Sequence, residues 1–133
     1  MNNGNSSIDS QAYDLMKKAL DASSTRSRVI SNNVANINTA NYKRHYVTFE
    51  DTLKEASDDL KLKSTNERHI TEESKYGDIE VKQDKSSSMR QDGNNVDIDL
   101  EKTNQAANTL MYNALITEVN NSLSSKRYVI NGR

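Results

Sequence analysis

Two apolar stripes, one near each end of a 133-residue chain, constrain the fold more than any other feature. In the first, Leu15, Ala22 and Val29 stand seven apart. Met16, Ile30 and Ile37 fall on the neighbouring row, with Ser23 filling its gap, and Ala12 and Ala19 lie between. In the second, Leu100, Ala107 and Ala114 are seven apart, as are Ile116, Leu123 and Ile130. A seven-residue apolar repeat is the signature of helices that bury one narrow face against a partner helix. The first stripe is interrupted, because Arg26 and Asn33 share the row of Ala12 and Ala19.

Narrow stripes suit the composition. Only 33% of residues are hydrophobic, below the usual ~45–50%. The net charge is −1, so the chain is not a self-repelling polyelectrolyte. An elongated molecule is expected, whose stripes find partners within the chain or in other subunits. The charge balance argues against a nucleic-acid binder, which carries a basic face. With no cysteine, disulfide, zinc-thiolate and thiol chemistry are excluded. No apolar run approaches the ~18 residues of a membrane span. The polar start "MNNGNSSIDS" does not read as a cleaved secretory leader.

The predicted fold is mainly all-α: two long terminal helices pairing as a coiled-coil hairpin, in a single elongated domain. The spacing predicts an N-terminal helix over residues 8–40 and a C-terminal helix over residues 96–131. Residues 41–95 form a polar, partly disordered middle with room for at most a short hairpin. Within it, Phe49, Leu53, Ala56 and Leu60 predict a short amphipathic helix over residues 49–61. Residues 46–49 are candidates for extended chain. The helix–helix interface is expected to use Leu15, Met16, Ala19, Ala22, Val29 and Ile30 on one side. On the other it is expected to use Leu100, Ala107, Leu110, Met111, Ala114, Leu115, Val119 and Leu123.

Two polar patches interrupt this plan. "SNNVANINTANYKR", residues 31–44, holds five asparagines among fourteen residues. Asparagine is a mediocre helix former that tolerates the left-handed conformation, so the first helix is expected to end there. Asp92-Gly93-Asn94-Asn95 is a turn signal, and Asp97 or Asp99 is placed to cap the second helix.

Catalytic chemistry finds little support. His45 and His69 stand 24 residues apart with no ligand spacing around them, so ordinary polar contacts are expected. Asp92, Asp97, Asp99 and Glu101 do not follow the order of a calcium loop. The triplet Ser86-Ser87-Ser88 has no histidine near it, and the four glycines are scattered. No catalytic residue, metal ligand, cofactor or small-molecule substrate is expected. Residue physics leaves three readings open: a self-assembling structural subunit, a cytoplasmic coiled-coil adaptor or chaperone, and a free-standing helical bundle with another role.

Residues 27–44, "SRVISNNVANINTANYKR", resemble the N-terminal signature of bacterial flagellar basal-body rod and hook proteins, approximately I-S-N-N-[IV]-A-N-x-[ND]-T-P-G-Y-K. Ile30, Ser31, Asn32, Asn33, Val34, Ala35, Asn36, Asn38, Thr39, Tyr42 and Lys43 match it. The family's Pro-Gly is replaced by Ala40-Asn41, where Asn41 can still take a positive φ. Residues 90–116 resemble the C-terminal signature of the family's short proximal-rod members, centred on Asp92, Gly93, Asn94, Asn95, Val96, Asp97, Ile98 and Asp99. "LKLKSTNERHI", residues 60–70, is similar to their mid-chain segment. The related short rod protein FlgC is the nearest alternative.

The resemblance implies a structural subunit of the proximal rod, self-assembling through its terminal helices and transmitting torque from membrane ring to hook. It implies export by the flagellar type III system without a cleaved leader, and location in the basal body. The implied partners are other rod subunits, the membrane ring, the junction protein FliE and the export gate. Phe49 and Leu53 have the spacing of the short export-gate motif of such substrates. They equally suit a helix anchor.

Overall fold

The computed structural model describes residues 3–50, 77–88 and 90–132. Helix α1 spans Asn3–Ala35 and helix α2 spans Ile98–Asn131. Between them, strand β1 (His45–Thr48) pairs antiparallel with strand β2 (Glu80–Gln83). The two helices pack against each other and β1 packs against α1. The predicted class, a mainly helical hairpin with at most a small β element, is the observed one.

Helix α1 begins and ends about five residues earlier than the periodicity predicts. With no proline in the chain, nothing strongly forbids helix in the first residues. At the other end the Asn36 amide donates to the Asn32 carbonyl at 2.8 Å. The Asn36 backbone N–H is shared between the carbonyls of Asn32 and Asn33. Such shared bonds tighten a last turn and satisfy carbonyls the helix would orphan. Two short turns follow, closed by Thr39 N–H to Asn36 O at 3.0 Å and Tyr42 N–H to Thr39 O at 3.3 Å. Asn41 takes φ 60° where the turn reverses.

Helix α2 begins where its cap dictates. Asp97 is extended, and its carboxylate accepts from the N–H groups of Asp99 and Leu100 at 2.9 and 3.3 Å. Asp99 and Glu101 add negative charge to the first turn, which the helix dipole favours. Gly132, at φ 65°, closes the far end by donating to the Tyr128 carbonyl at 2.9 Å. At 1.5 Å per residue each helix is about 50 Å long. The Lys126 ammonium lies 5.0 Å from the Tyr13 ring centroid, across the hairpin.

Among the described residues the buried apolar side chains are Ala22, Val29 and Ile30 from α1, with Val47, Phe49 and Val96. A two-stranded sheet is marginal by itself. Here β1 gains support by burying Val47 and Thr48 while all four β2 residues are exposed. The sheet joins residues on either side of positions 49–79, so it is not the local hairpin expected from the polar middle. Of the predicted helix over residues 49–61, residues 51–61 lie outside the described residues, as does the "LKLKSTNERHI" segment.

The seam between the helices differs from the predicted one on its α2 side. Ala22, Val29 and Ile30 are buried, and Leu15, Met16 and Ala19 are half-buried. On α2, however, the buried residues are Glu101 and Asn108. Leu100, Ala107, Leu110, Met111, Ala114 and Leu123 are exposed in the single chain, Leu110 to 72%. Leu115 and Val119 are half-buried. Apolar periodicity misplaces this face because polar side chains with partners on α1 occupy it, turning the apolar row outward.

Candidate functional site

The two sequence patches, about fifty residues apart, meet at the closed end of the hairpin. Asn33, on the last turns of α1, is wholly buried. Its Nδ2 donates to the His45 carbonyl at 2.7 Å and to Glu101 Oε2 at 3.1 Å. Its Oδ1 accepts from the His45 N–H at 3.0 Å and the Tyr42 hydroxyl at 3.1 Å. An amide has two donors and two acceptor sites, and all four are used. One side chain thereby holds the entry of β1, the turn and α2 to the end of α1.

Glu101 is 0% exposed. A buried carboxylate is tolerated only when paired and hydrogen-bonded. Arg44 Nε donates to its Oε1, and Asn33 occupies its Oε2. Arg44 also faces Asp84 at 3.8 Å. Burial, and then the Glu101 charge, push the Tyr42 hydroxyl above the ordinary tyrosine range, which keeps it a donor toward Asn33. Hydrogen bonds from the Ser86 N–H and hydroxyl hold Asp84 below the ordinary aspartate range, with the charges of Arg44 and Lys43 assisting.

A second amide closes the turn. Asn94 is also wholly buried. Its Nδ2 points at three carbonyls, those of Asn36, Ile37 and Thr39, at 2.9, 3.0 and 2.9 Å. Its Oδ1 accepts from the Val96 N–H at 2.8 Å. Asn95 Oδ1 accepts from the Arg44 N–H at 2.6 Å. The Asn41 N–H donates to the Asp92 carbonyl at 2.7 Å, Lys43 Nζ to the Gly93 carbonyl at 2.8 Å, and Arg90 to the Ile37 carbonyl at 3.0 Å. The turn that ends α1 is thus bonded mostly to the turn that precedes α2, and the two together form a latch.

Of the N-terminal motif, Asn33, Asn36, Thr39, Tyr42 and Lys43 take part in this network, and Ile30 is buried beneath it. Ser31, Asn32, Val34, Ala35 and Asn38 face outward. Of the C-terminal motif, Asp92, Gly93, Asn94 and Asn95 are in the network, Val96 is buried and Asp97 is the cap. Ile98 is half-buried and Asp99 exposed. Phe49 is buried at 3% exposure, and Leu53 lies outside the described residues. Sequence reasoning missed Arg44, Glu101, Ser23 and Asn108. Glu101 and Asn108 stand seven apart on one row, which is the signal that was available. The described residues hold no cluster of three or more His, Asp or Glu that could bind a metal ion. The chemistry of the arrangement is hydrogen bonding that fastens two helices.

Residues 17–43, the end of α1 and the turn it feeds, match the family model for flagella basal body rod proteins. The whole chain is also similar to curated relatives. It is 33% identical over 126 residues to the flagellar basal body rod protein FlgB of Bacillus subtilis, covering 95% of this chain and 98% of that protein. The chain belongs to the flagellar basal-body rod protein family. This rod protein is likewise 37% identical over 118 residues to FlgB of Borreliella burgdorferi, covering 82% of this chain and 87% of that one. To FlgB of Proteus mirabilis it is 29% identical over 128 residues, covering 89% and 92%. The likeness to FlgB therefore takes in both helices and both halves of the latch, not the N-terminal motif alone.

Proposed function

We propose that this rod protein is a FlgB-type structural subunit of the proximal rod, which self-assembles through its terminal helices and transmits torque from membrane ring to hook. The observation that carries the reading is the outward face of α2. Ile116, Leu123 and Ile130, seven apart on one row, are exposed along a helix already paired with α1, Ile130 to 81%. Exposed apolar surface on this scale marks an interaction surface. Neighbouring subunits would cover it, adding to the burial within the single chain. The latch gives each subunit one defined hairpin to present to the next.

The partners under this reading are other rod subunits, the membrane ring and the junction protein FliE. Export runs through the flagellar type III gate without a cleaved leader. Phe49 and Leu53 have the spacing of a gate-recognition motif, and Phe49 is buried once the chain is folded. Recognition at Phe49 would therefore precede folding of β1. The proposed role is structural, with no catalytic step. Deleting the gene is expected to abolish external filaments, and the protein is expected to co-purify with intact basal bodies. A purely cytosolic pool that is never secreted would instead mark a cytoplasmic adaptor and overturn the rod reading.

A further inference from the structure

We propose that the buried polar pairs Asn108–Ser23 and Glu101–Asn33 act as pins that choose which face of α2 the hairpin buries, and so hold the neighbouring, more apolar row at the edge of the seam. Asn108 is held on both sides of its amide. Its Oδ1 accepts from the Ser23 hydroxyl at 2.9 Å and its Nδ2 donates to the Ser23 carbonyl at 2.9 Å. Seven residues back, Glu101 bonds Asn33 at the latch. These pins turn Glu101, Gln105, Asn108 and Tyr112 toward α1. One residue round the helix, a roll of ~100°, lies the row of Leu100, Asn104, Ala107 and Met111. On burial of apolar area alone the second row is the better choice.

Two observations bear on how tightly this seam is packed. A groove of about 320 Å³ lies open beside it, with Val29, Ile30, Val47, Ala107 and Met111 in its wall alongside polar residues that include Arg26, Arg44 and Asn104. Asn104, Ala107 and Met111 already face this groove, and rolling α2 would carry them from its edge into the seam. Within the seam, Gln105 Oε1 is buried with no hydrogen-bond partner among the described residues. A polar contact of this kind sacrifices stability for one specified register. The choice is made inside one chain, whatever later covers the neighbouring row.

The chain has no cysteine, so a single introduced thiol reads the roll. The reporter is Ala107→Cys, at a position exposed with the pins in place. Its control is Thr109→Cys, on the side away from the groove. Each is to be labelled with a thiol reagent in the full-length chain, with the pins intact, in Asn108→Ala, and in Asn108→Ala/Glu101→Ala. Alanine removes the bonds without making the present face strongly apolar. The thiol at position 107 is expected to react at least about tenfold more slowly once both pins are gone, as for a site protected by folded structure. The control thiol at position 109 is expected to stay reactive and the helical circular dichroism to persist. Equal labelling rates at position 107 in all backgrounds would overturn the proposal. Loss of helicity in the unpinned chain would also overturn it, because the pins would then supply stability rather than choose a face.

Discussion

Asn33 grips the backbone of His45 at both its N–H and its carbonyl, with bonds of 3.0 and 2.7 Å. A side-chain amide thus pairs with one residue's backbone much as a neighbouring strand would, and β1 starts at that gripped residue. Asn33→Ala removes the partner of the half-buried His45 N–H and carbonyl and of the buried Glu101 Oε2. Each buried group left unpaired costs ~1–3 kcal/mol. A clear fall in the urea midpoint of the isolated protein is expected, along with impaired rod assembly and swarming. Asn36→Ala should act in the same direction but less, since its amide serves an exposed carbonyl of its own helix. Wild-type swarming in both variants would remove the assembly role from this patch.

Arg44 and Glu101 are unequal partners, because Glu101 is wholly buried whereas Arg44 keeps some contact with solvent. Arg44→Ala leaves a buried carboxylate without its cation, a loss of roughly 3–5 kcal/mol for such pairs. Arg44→Ala/Glu101→Ala removes the charge as well and should be milder than Arg44→Ala alone. Denaturant unfolding of the two variants decides this. A double variant less stable than Arg44→Ala would contradict the expectation.

The turn at Asn41 depends on a left-handed backbone, at φ 60°. Asn41→Val should cost about 1–2 kcal/mol, because a β-branched residue fits that conformation poorly. Asn41→Gly should be neutral or slightly stabilising. Gly93, at φ 74°, packs so closely that an added Cβ would sit 2.7 Å from Asn41 Oδ1. Gly93→Ala should therefore be less damaging in an Asn41→Gly background than alone. Thermal melts of the three variants test that coupling.

Asp84 links stability to acid. Its folded-state carboxyl titrates below the ordinary aspartate value, chiefly because it accepts hydrogen bonds from Ser86. Its stabilising effect is therefore complete above the unfolded value of about 3.9. It is lost as pH falls through the lower folded value. Below pH ~4 the wild-type protein should lose stability more steeply than Asp84→Asn. Parallel slopes in the acid range would remove Asp84 as a contributor.

The sequence carries the latch more clearly than the seam. Asn41 and Asp97 are legible because each satisfies a local rule, a positive φ in one case and a helix cap in the other. The Arg44–Glu101 pair spans 57 residues, and no local pattern ties those two positions together. Glu101 and Asn108 read as outward-facing residues because polar side chains are usually exposed. Their burial follows from partners on α1 that only the fold brings near. The apolar row of α2 is a stripe, as its spacing says, but periodicity tells which residues share a face and not which way that face turns.

The register of β1 against β2 sets Thr48 opposite Glu80, so positions 48 and 80 stand on adjacent backbones. Loop-closure entropy grows only with the logarithm of length, about 0.6 kcal/mol for each doubling. By that term alone, lengthening the chain between those two points, as by a spliced fluorescent domain, would add little to the cost of holding Thr48 beside Glu80. The paired strands make that position a natural port for labelling the subunit.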